Sequence, residues 1–214
     1  MKAAIIIPAY NEAGSIARVV ESVRSYGIPI VVDDGCSDET GRRAAEAGAT
    51  VVRHEANRGY DAALATGFAE AERIGAELVV TFDADGQLDS SSIPVVIDAL
   101  KRPNVGLVIG VRDAAARFSE SLFNLYAKLR FGVPDMLCGL KGFRMGWYAS
   151  HRESAETASV NTAFALALLR QNIGFALVPV AINPRAGDSR FGTWRGNVKI
   201  LRALASALMQ DARR

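Results

Sequence analysis

The run AAIIIPAYNE, Ala3 to Glu12, decides the fold. Its apolar residues show no polar alternation, so a strand here is buried on both faces, as in a parallel sheet covered by helices. Pro8 stops the run, and the polar residues Tyr10, Asn11 and Glu12 follow at its carboxyl end. Working outward, PIVV, ATVV, ELVVTF and VGLVIG repeat the pattern as further strands. Helices are predicted between them: one capped by Ser37 and stopping at Gly48, one from Asp61 to Arg73, and one starting at the serines 90 to 92. Alternating strands and helices of this kind give an α/β fold with a mainly parallel, Rossmann-like sheet and helices on both faces.

After Arg112 the rhythm changes. A helix is predicted from Ala115 to Phe131, a short strand at KGFRM, a helix over 158 to 171, a strand at FALVPVAI and a final helix after Gly192. No linker or internal repeat interrupts the chain, so its 214 residues read as one domain, with a first half over 1–112 and a second over 113–214.

The two cysteines, Cys36 and Cys138, lie far apart and read as small buried residues in a reducing, cytoplasmic setting. No stretch reaches the roughly 18 apolar residues of a spanning helix. Residues 1–102 carry 16 acidic and 10 basic side chains, and residues 103–214 carry 7 and 15, so the second half is built to meet something anionic. No basic run with interleaved aromatics points to nucleic acid.

In a parallel sheet, ligands bind where the carboxyl ends of the strands meet their loops. Those loops are PAYNE, DDGCSD, HEANRGYDAA and DADGQ, all rich in hydrogen-bonding groups. None contains the phosphate cradle of P-loop enzymes or the dinucleotide fingerprint. With only His54 and His151 and no Cys/His spacing, zinc has no ligand set, and no G-x-S-x-G supports a serine nucleophile.

The loop TFDADGQLD, Thr81 to Asp89, holds the chemistry. Residues two apart on an extended segment point the same way, so Asp83, Asp85 and Gln87 are expected to converge if the strand runs out straight. Two bare carboxylates so close repel unless a cation lies between them, and hard oxygen ligands suit Mg²⁺ or Mn²⁺. A solvated acidic turn would use the same residues; the position after a buried strand, beside three polar loops, favours the metal.

These motifs, together with VIGVRD, the D-x-x-C-G-L-K-G-F-R run at 135 to 144 and PRAGDSRFG at 185 to 192, resemble the inverting GT-A glycosyltransferases of family 2, the group that includes dolichyl-phosphate mannose synthase and polyprenyl-phosphate sugar transferases. The resemblance covers nearly the whole chain. It implies a GT-A fold and a nucleoside-diphosphate sugar donor, UDP- or GDP-linked. It places Pro8, Tyr10, Asn11 and Glu12 beside the nucleotide, Asp33 or Asp34 on the base, Asn57, Arg58 and Gly59 along the base and ribose, and Ala84 at the donor. Asp83 and Asp85 are the implied catalytic pair, and with Gln87 they hold the metal against the donor's phosphates. Arg112, Arg117, Arg185, Ser189 and Arg190 are the implied acceptor-binding residues, Arg190 standing where the synthases carry lysine.

Relatives that act on hydroxyl groups usually supply a carboxylate base, but NTAFALALLRQ has none between Asn161 and Gln171. A phosphate acceptor is already ionised and needs positive charge more than a base, so a lipid phosphate is the expected acceptor and a saccharide or metabolite hydroxyl the alternative. Arg144 has Asp135 as a ready partner. On the last helix Trp194, Val198, Leu201, Leu204 and Leu208 share a stripe flanked by Arg195, Lys199 and Arg202. Such a stripe more often packs on the protein's own core or a second copy, and peripheral contact with an anionic bilayer is the alternative. Two further readings remain open. FDADG is also similar to the nucleophile loop of haloacid-dehalogenase phosphatases, although that motif normally opens the first strand, and the domain could bind nucleotide without turnover.

Overall fold

The computed structural model of the chain describes residues 1–113, 118–150, 160–183 and 193–212. Seven strands form one sheet: β1 Ala3–Ala9, β2 Ile28–Asp33, β3 Thr50–Arg53, β4 Leu78–Thr81, β5 Leu107–Arg112, β6 Lys141–Arg144 and β7 Phe175–Val180. Their order is β3-β2-β1-β4-β6-β5-β7, and every pairing is parallel except those of β6, which runs against both β4 and β5. Each predicted strand is present. The reversal of β6 was not legible in the four residues Lys141–Arg144.

The described helices are α1 Ile16–Val23, α2 Thr40–Glu46, α3 Tyr60–Arg73, α4 Ser92–Lys101, α5 Phe118–Phe131, α6 Met145–Ser150, α7 Val160–Arg170 and α8 Thr193–Ala212. They cover both sheet faces, and β1 shows why its run lacks polar alternation. Ile5 and Ile7 pack with α1, α2 and α4, while Ala4 and Ile6 pack with α3, α5 and α7. The second face is sealed by an aromatic group in which Phe68 stacks on Tyr148 at 4.6 Å and Phe143 on Phe164 at 5.0 Å.

Three local expectations need correction. α2 begins at Thr40, not after Ser37, because the Asp38 carboxylate accepts the Thr40 N–H at 3.0 Å and acts as the short polar group that starts the turn. Arg144 does not pair with Asp135; it donates to the carbonyls of Val105 and Arg102. The apolar stripe of the final helix is split: Leu204 is buried with Ala207, while Leu201 and Leu208 face outward. Helices α1 and α6 were not anticipated. Both cysteines are buried and free, as read from their spacing. Among the described residues no helix is long and apolar enough to cross a membrane.

Candidate active site

The parallel strands end along one edge, where their loops are stitched together by side chains. After β1, Asn11 takes a positive φ of 53°. Its side-chain oxygen accepts the Ser37 N–H at 2.8 Å. Glu12 N–H donates to Thr40 Oγ1 at 2.7 Å, and Ser15 Oγ donates to the Ala84 carbonyl at 2.8 Å, tying the start of α1 to the D-x-D loop. Pro8 and Ala9 form the buried end of β1, and the Tyr10 ring is exposed beyond it.

Asp33 and Asp34 both turn inward. Asp34 accepts His54 Nδ1–H at 2.7 Å, Arg58 N–H at 2.9 Å and Gly59 N–H at 2.8 Å, and Thr66 Oγ1 lies 2.9 Å from His54 Nε2. The carboxylate and the histidine thus fix the loop that carries Asn57, Arg58 and Gly59, whose first two side chains are exposed. Asp33 accepts the Cys36 N–H at 2.8 Å. Its other oxygen is buried without a hydrogen bond, with the Arg53 guanidinium 3.5 Å away.

The D-x-D loop does not run out straight. β4 stops at Thr81, the chain turns through Ala84 and Gly86, whose φ is +73°, and Asp85 closes the turn by accepting the Gln87 N–H at 3.0 Å. The turn, not strand alternation, brings Asp85 back toward Asp83. Because β6 is antiparallel, its amino end pairs with the carboxyl end of β4, and the residues just before it reach the site. Gly139 passes so close to Asp83 that a Cβ there would fall on the carboxylate Oδ2. Tyr60 donates from its hydroxyl to Asp83 Oδ1 at 3.3 Å.

Beneath this pair lies Lys141, fully buried, whose Nζ donates to the Cys138 carbonyl at 2.7 Å. Burial pulls its ammonium down to about 8, against the opposing charges of Asp135 and Asp83. Burial also pushes the Asp83 carboxyl up to about 6, helped by the Asp85 charge. Asn161, at the first turn of α7, is buried and donates to the Gly139 carbonyl at 3.2 Å. α7 therefore presents a carboxamide to the site, not a carboxylate.

The donor set fits a hard divalent ion. The carboxylates of Asp83 and Asp85 and the amide oxygen of Gln87 are hard donors, and the Asp85 charge adds to the cost of ionising Asp83, which a cation would offset. Among the described residues no three His, Cys, Asp or Glu side chains converge on one point. An ion held here would complete its shell from water and substrate oxygens, the usual habit of Mg²⁺ and Mn²⁺.

Of the predicted acceptor residues, only Arg112 falls within the described residues; Arg117, Arg185, Ser189 and Arg190 lie outside them. The Arg112 fork is engaged with Asp135, through Nε at 2.7 Å and an Nη at 2.9 Å, and the same Nη lies 3.5 Å from Glu120. Tyr60, Gly139, Lys141, Asn161 and the Asp34–His54 pair were not singled out as site residues from the sequence. All four single residues sit inside quoted stretches, Asn161 at the start of NTAFALALLRQ, which was the available signal, whereas nothing in the sequence coupled His54 to Asp34.

Residues 4–156 match the family model described as Glycosyl transferase family 2. The chain is 33% identical over 127 residues to the UDP-N-acetylglucosamine--dolichyl-phosphate N-acetylglucosaminyltransferase of Methanococcus voltae, covering 50% of this chain and 51% of that protein. It is 32% identical over 179 residues to the dolichol-phosphate mannosyltransferase of Pyrococcus furiosus, covering 75% and 49%. The chain thus spans about half the length of the curated relatives it matches. Glucosyl-3-phosphoglycerate synthase from Mycobacterium tuberculosis, solved with phosphoglyceric acid, superposes with a TM-score of 0.77 at 23% identity over 96% of this chain and 79% of that one. Its complex with Mn²⁺, uridine diphosphate and glucosyl-3-phosphoglycerate superposes with a TM-score of 0.73 at 18% identity, over 98% and 79%. At these identities the structural likeness speaks for the GT-A fold.

Proposed function

The chain belongs to glycosyl transferase family 2, and on that premise we propose that it moves one sugar, with inversion, from a nucleoside-diphosphate sugar to a polyprenyl-type lipid phosphate in a divalent-metal-dependent reaction. The observation that carries this reading is the Asp83–Asp85 pair held at the carboxyl edge of the sheet with Tyr60, Gly139 and Lys141 around it. Asp83, Asp85 and Gln87 would hold Mg²⁺ or Mn²⁺. Such an ion, when bound, offsets the charge that develops on the departing diphosphate.

The chain's own groups do the rest. Tyr10 offers an exposed ring to the base, and the Asn57–Gly59 loop, fixed by Asp34 and His54, walls the ribose side. Asp33 and Asp34 shape that pocket from below, since their carboxylates face inward. Asn11, Glu12 and Ala84 would line it, tied to Ser37, Thr40 and Ser15, with Pro8 at the buried end of β1. Arg112 acts through Asp135 on the wall of the acceptor side, and Arg117, Arg185, Ser189 and Arg190 would bind the acceptor phosphate.

Asn161 supports a phosphate acceptor. A carboxamide cannot take a proton from a hydroxyl nucleophile, whereas a phosphate monoester attacks without losing one. The names of the two curated relatives carry dolichyl or dolichol phosphate, which supports a lipid phosphate, whereas the phosphoglycerate in the structural relative's name bears both a phosphate and a hydroxyl and does not choose between them. The phosphatase reading of FDADG gives way to the family match. The setting that suits this reaction is the cytoplasm, at the face of a membrane.

The test mixes the purified chain with labelled UDP- and GDP-sugars, Mn²⁺ or Mg²⁺, and polyprenyl phosphate, 3-phosphoglycerate or saccharides. Metal-dependent transfer to polyprenyl phosphate, abolished by Asp85→Ala, supports the reading. Transfer to saccharides alone, or transfer indifferent to chelators, overturns it.

A further inference from the structure

Helix α5 buries Phe123 and Ala127 against the sheet, but Leu122, Leu125 and Leu129, on its opposite side, are 41, 51 and 79% exposed. Their spacing of three and four residues makes one continuous stripe. α8 repeats the arrangement, with Leu204 and Ala207 inward and Leu201, Leu208 and Met209 outward. The two helices pack on each other. Tyr126 donates to Asp211 at 2.7 Å, and Ser119 to Asn197 at 2.7 Å.

Leucines so exposed on neighbouring helices mark a contact surface. The charges around them say what it contacts. Among the described side chains of α5 and α8, the exposed charges are Lys128, Arg130 and Arg202, all cationic. The two carboxylates, Glu120 and Asp211, are largely covered; Glu120 lies beside Arg112, and Asp211 is held by Tyr126 and Arg170 with Arg130 3.7 Å away, which leaves Lys128 and Arg202 as the cations with no carboxylate against them among the described residues. A second copy docked on this face would set the same cations against one another with no open carboxylate in reply. An anionic lipid surface meets both features, taking the leucines among its acyl chains and the cations at its headgroups.

We infer that the α5 and α8 leucine stripes are a docking surface for anionic membrane, and that α5 delivers the acceptor end of a lipid to the active-site rim. Docking itself stands on the surface; the delivery clause rests on the proposed lipid-phosphate reading. The geometry links them, because the first turn of α5 reaches Arg112 through Glu120, 3.5 Å from its guanidinium, while the leucines run away from that point.

The experiment compares the parent chain with Leu125→Glu/Leu129→Glu and with Lys128→Glu/Arg202→Glu in sedimentation with phosphatidylcholine vesicles with and without phosphatidylglycerol. These side chains are exposed, so circular dichroism should stay unchanged. The parent should bind the anionic vesicles, and each variant should bind them roughly tenfold or more weakly. Transfer to a short, water-soluble prenyl phosphate should be unchanged, while transfer to a long-chain acceptor in vesicles should fall in step with binding. Wild-type vesicle binding by the leucine variant overturns the docking surface. So does a parent that ignores vesicles and elutes as a dimer that Leu125→Glu splits. Vesicle binding lost in the variants while the parent glycosylates no lipid phosphate would keep the docking surface and refute the lipid-acceptor reading and the delivery clause.

Discussion

Asp34→Asn tests whether the nucleotide-side loop is fixed by the buried carboxylate. Asp34 accepts three bonds, from His54 Nδ1–H and from the N–H groups of Arg58 and Gly59, in a side chain that is almost fully enclosed. An asparagine keeps one acceptor oxygen. However its amide is oriented, the NH₂ group faces at least one N–H that the carboxylate had satisfied. A hydrogen bond to a charged group contributes ~1.5–3 kcal/mol, and the buried donor left facing a donor adds to its loss, so the substitution should destabilise the fold by about 3 kcal/mol. With an m-value of about 3 kcal/mol/M, the urea midpoint should drop by about 1 M. Far-UV circular dichroism in a urea series reads the midpoint, and calorimetric titration of a nucleoside diphosphate into the native variant should show weaker binding, because the loop bearing Asn57 and Arg58 loosens. A midpoint within about 0.2 M of the parent, with unchanged nucleotide affinity, would refute the reasoning.

Three other outcomes are expected. The Asp83 carboxyl, pushed up to about 6 from an ordinary 3.8, favours the folded state while protonated. Its contribution is present below about pH 4 and lost as pH rises through about 6, so without metal the urea midpoint should fall across that window by an amount Asp83→Asn removes, and Mn²⁺ should restore it near neutrality. A midpoint that ignores Mn²⁺ at neutral pH contradicts this. Gly139→Ala puts a methyl on Asp83 Oδ2; Mn²⁺-dependent nucleotide binding measured by calorimetry should weaken roughly 10–100-fold, and parent affinity would show that the contact is unimportant. Lys141→Met removes the buried cation that favours ionised Asp83; the pH at which Mn²⁺ affinity is half lost should rise, and an unmoved profile would remove Lys141 from the site.

The strands were readable because both sheet faces are covered, which leaves β1, β2 and β4 as apolar runs with no polar side to mistake. α1 was missed although Ile16, Val19, Val20 and Val23 repeat at helical spacing, since the strand ends drew the reading past it. The direction of β6 follows from which strands it enters between, and a segment Lys141–Arg144 holds no trace of that. In the site, the carboxylates were visible as a local motif, but their surroundings come from distant segments: Tyr60, Gly139 and Lys141 reach Asp83, and Asn161 reaches Gly139, only after the chain has folded. Local pattern also misled where two partners competed. Asp135 lies nearer to Arg144 in sequence, yet Arg112 reaches it across the β5 edge, and Gly86 turns a loop that alternation would have run straight.

The reversed strand sets the order in which this protein can be made. β5 pairs with β6 and β7 and never with β4. As synthesis proceeds from the amino terminus, β4 emerges with a bare outer edge, and β5 has nowhere to dock until Lys141–Arg144 slots between them. A product cut short in that interval exposes unpaired backbone and invites sticking to other chains. For the same reason the second half cannot be exchanged with a relative's by cutting at Arg112: the seam between the halves runs through the sheet, and a working chimera must carry β5, β6 and β7 as one piece.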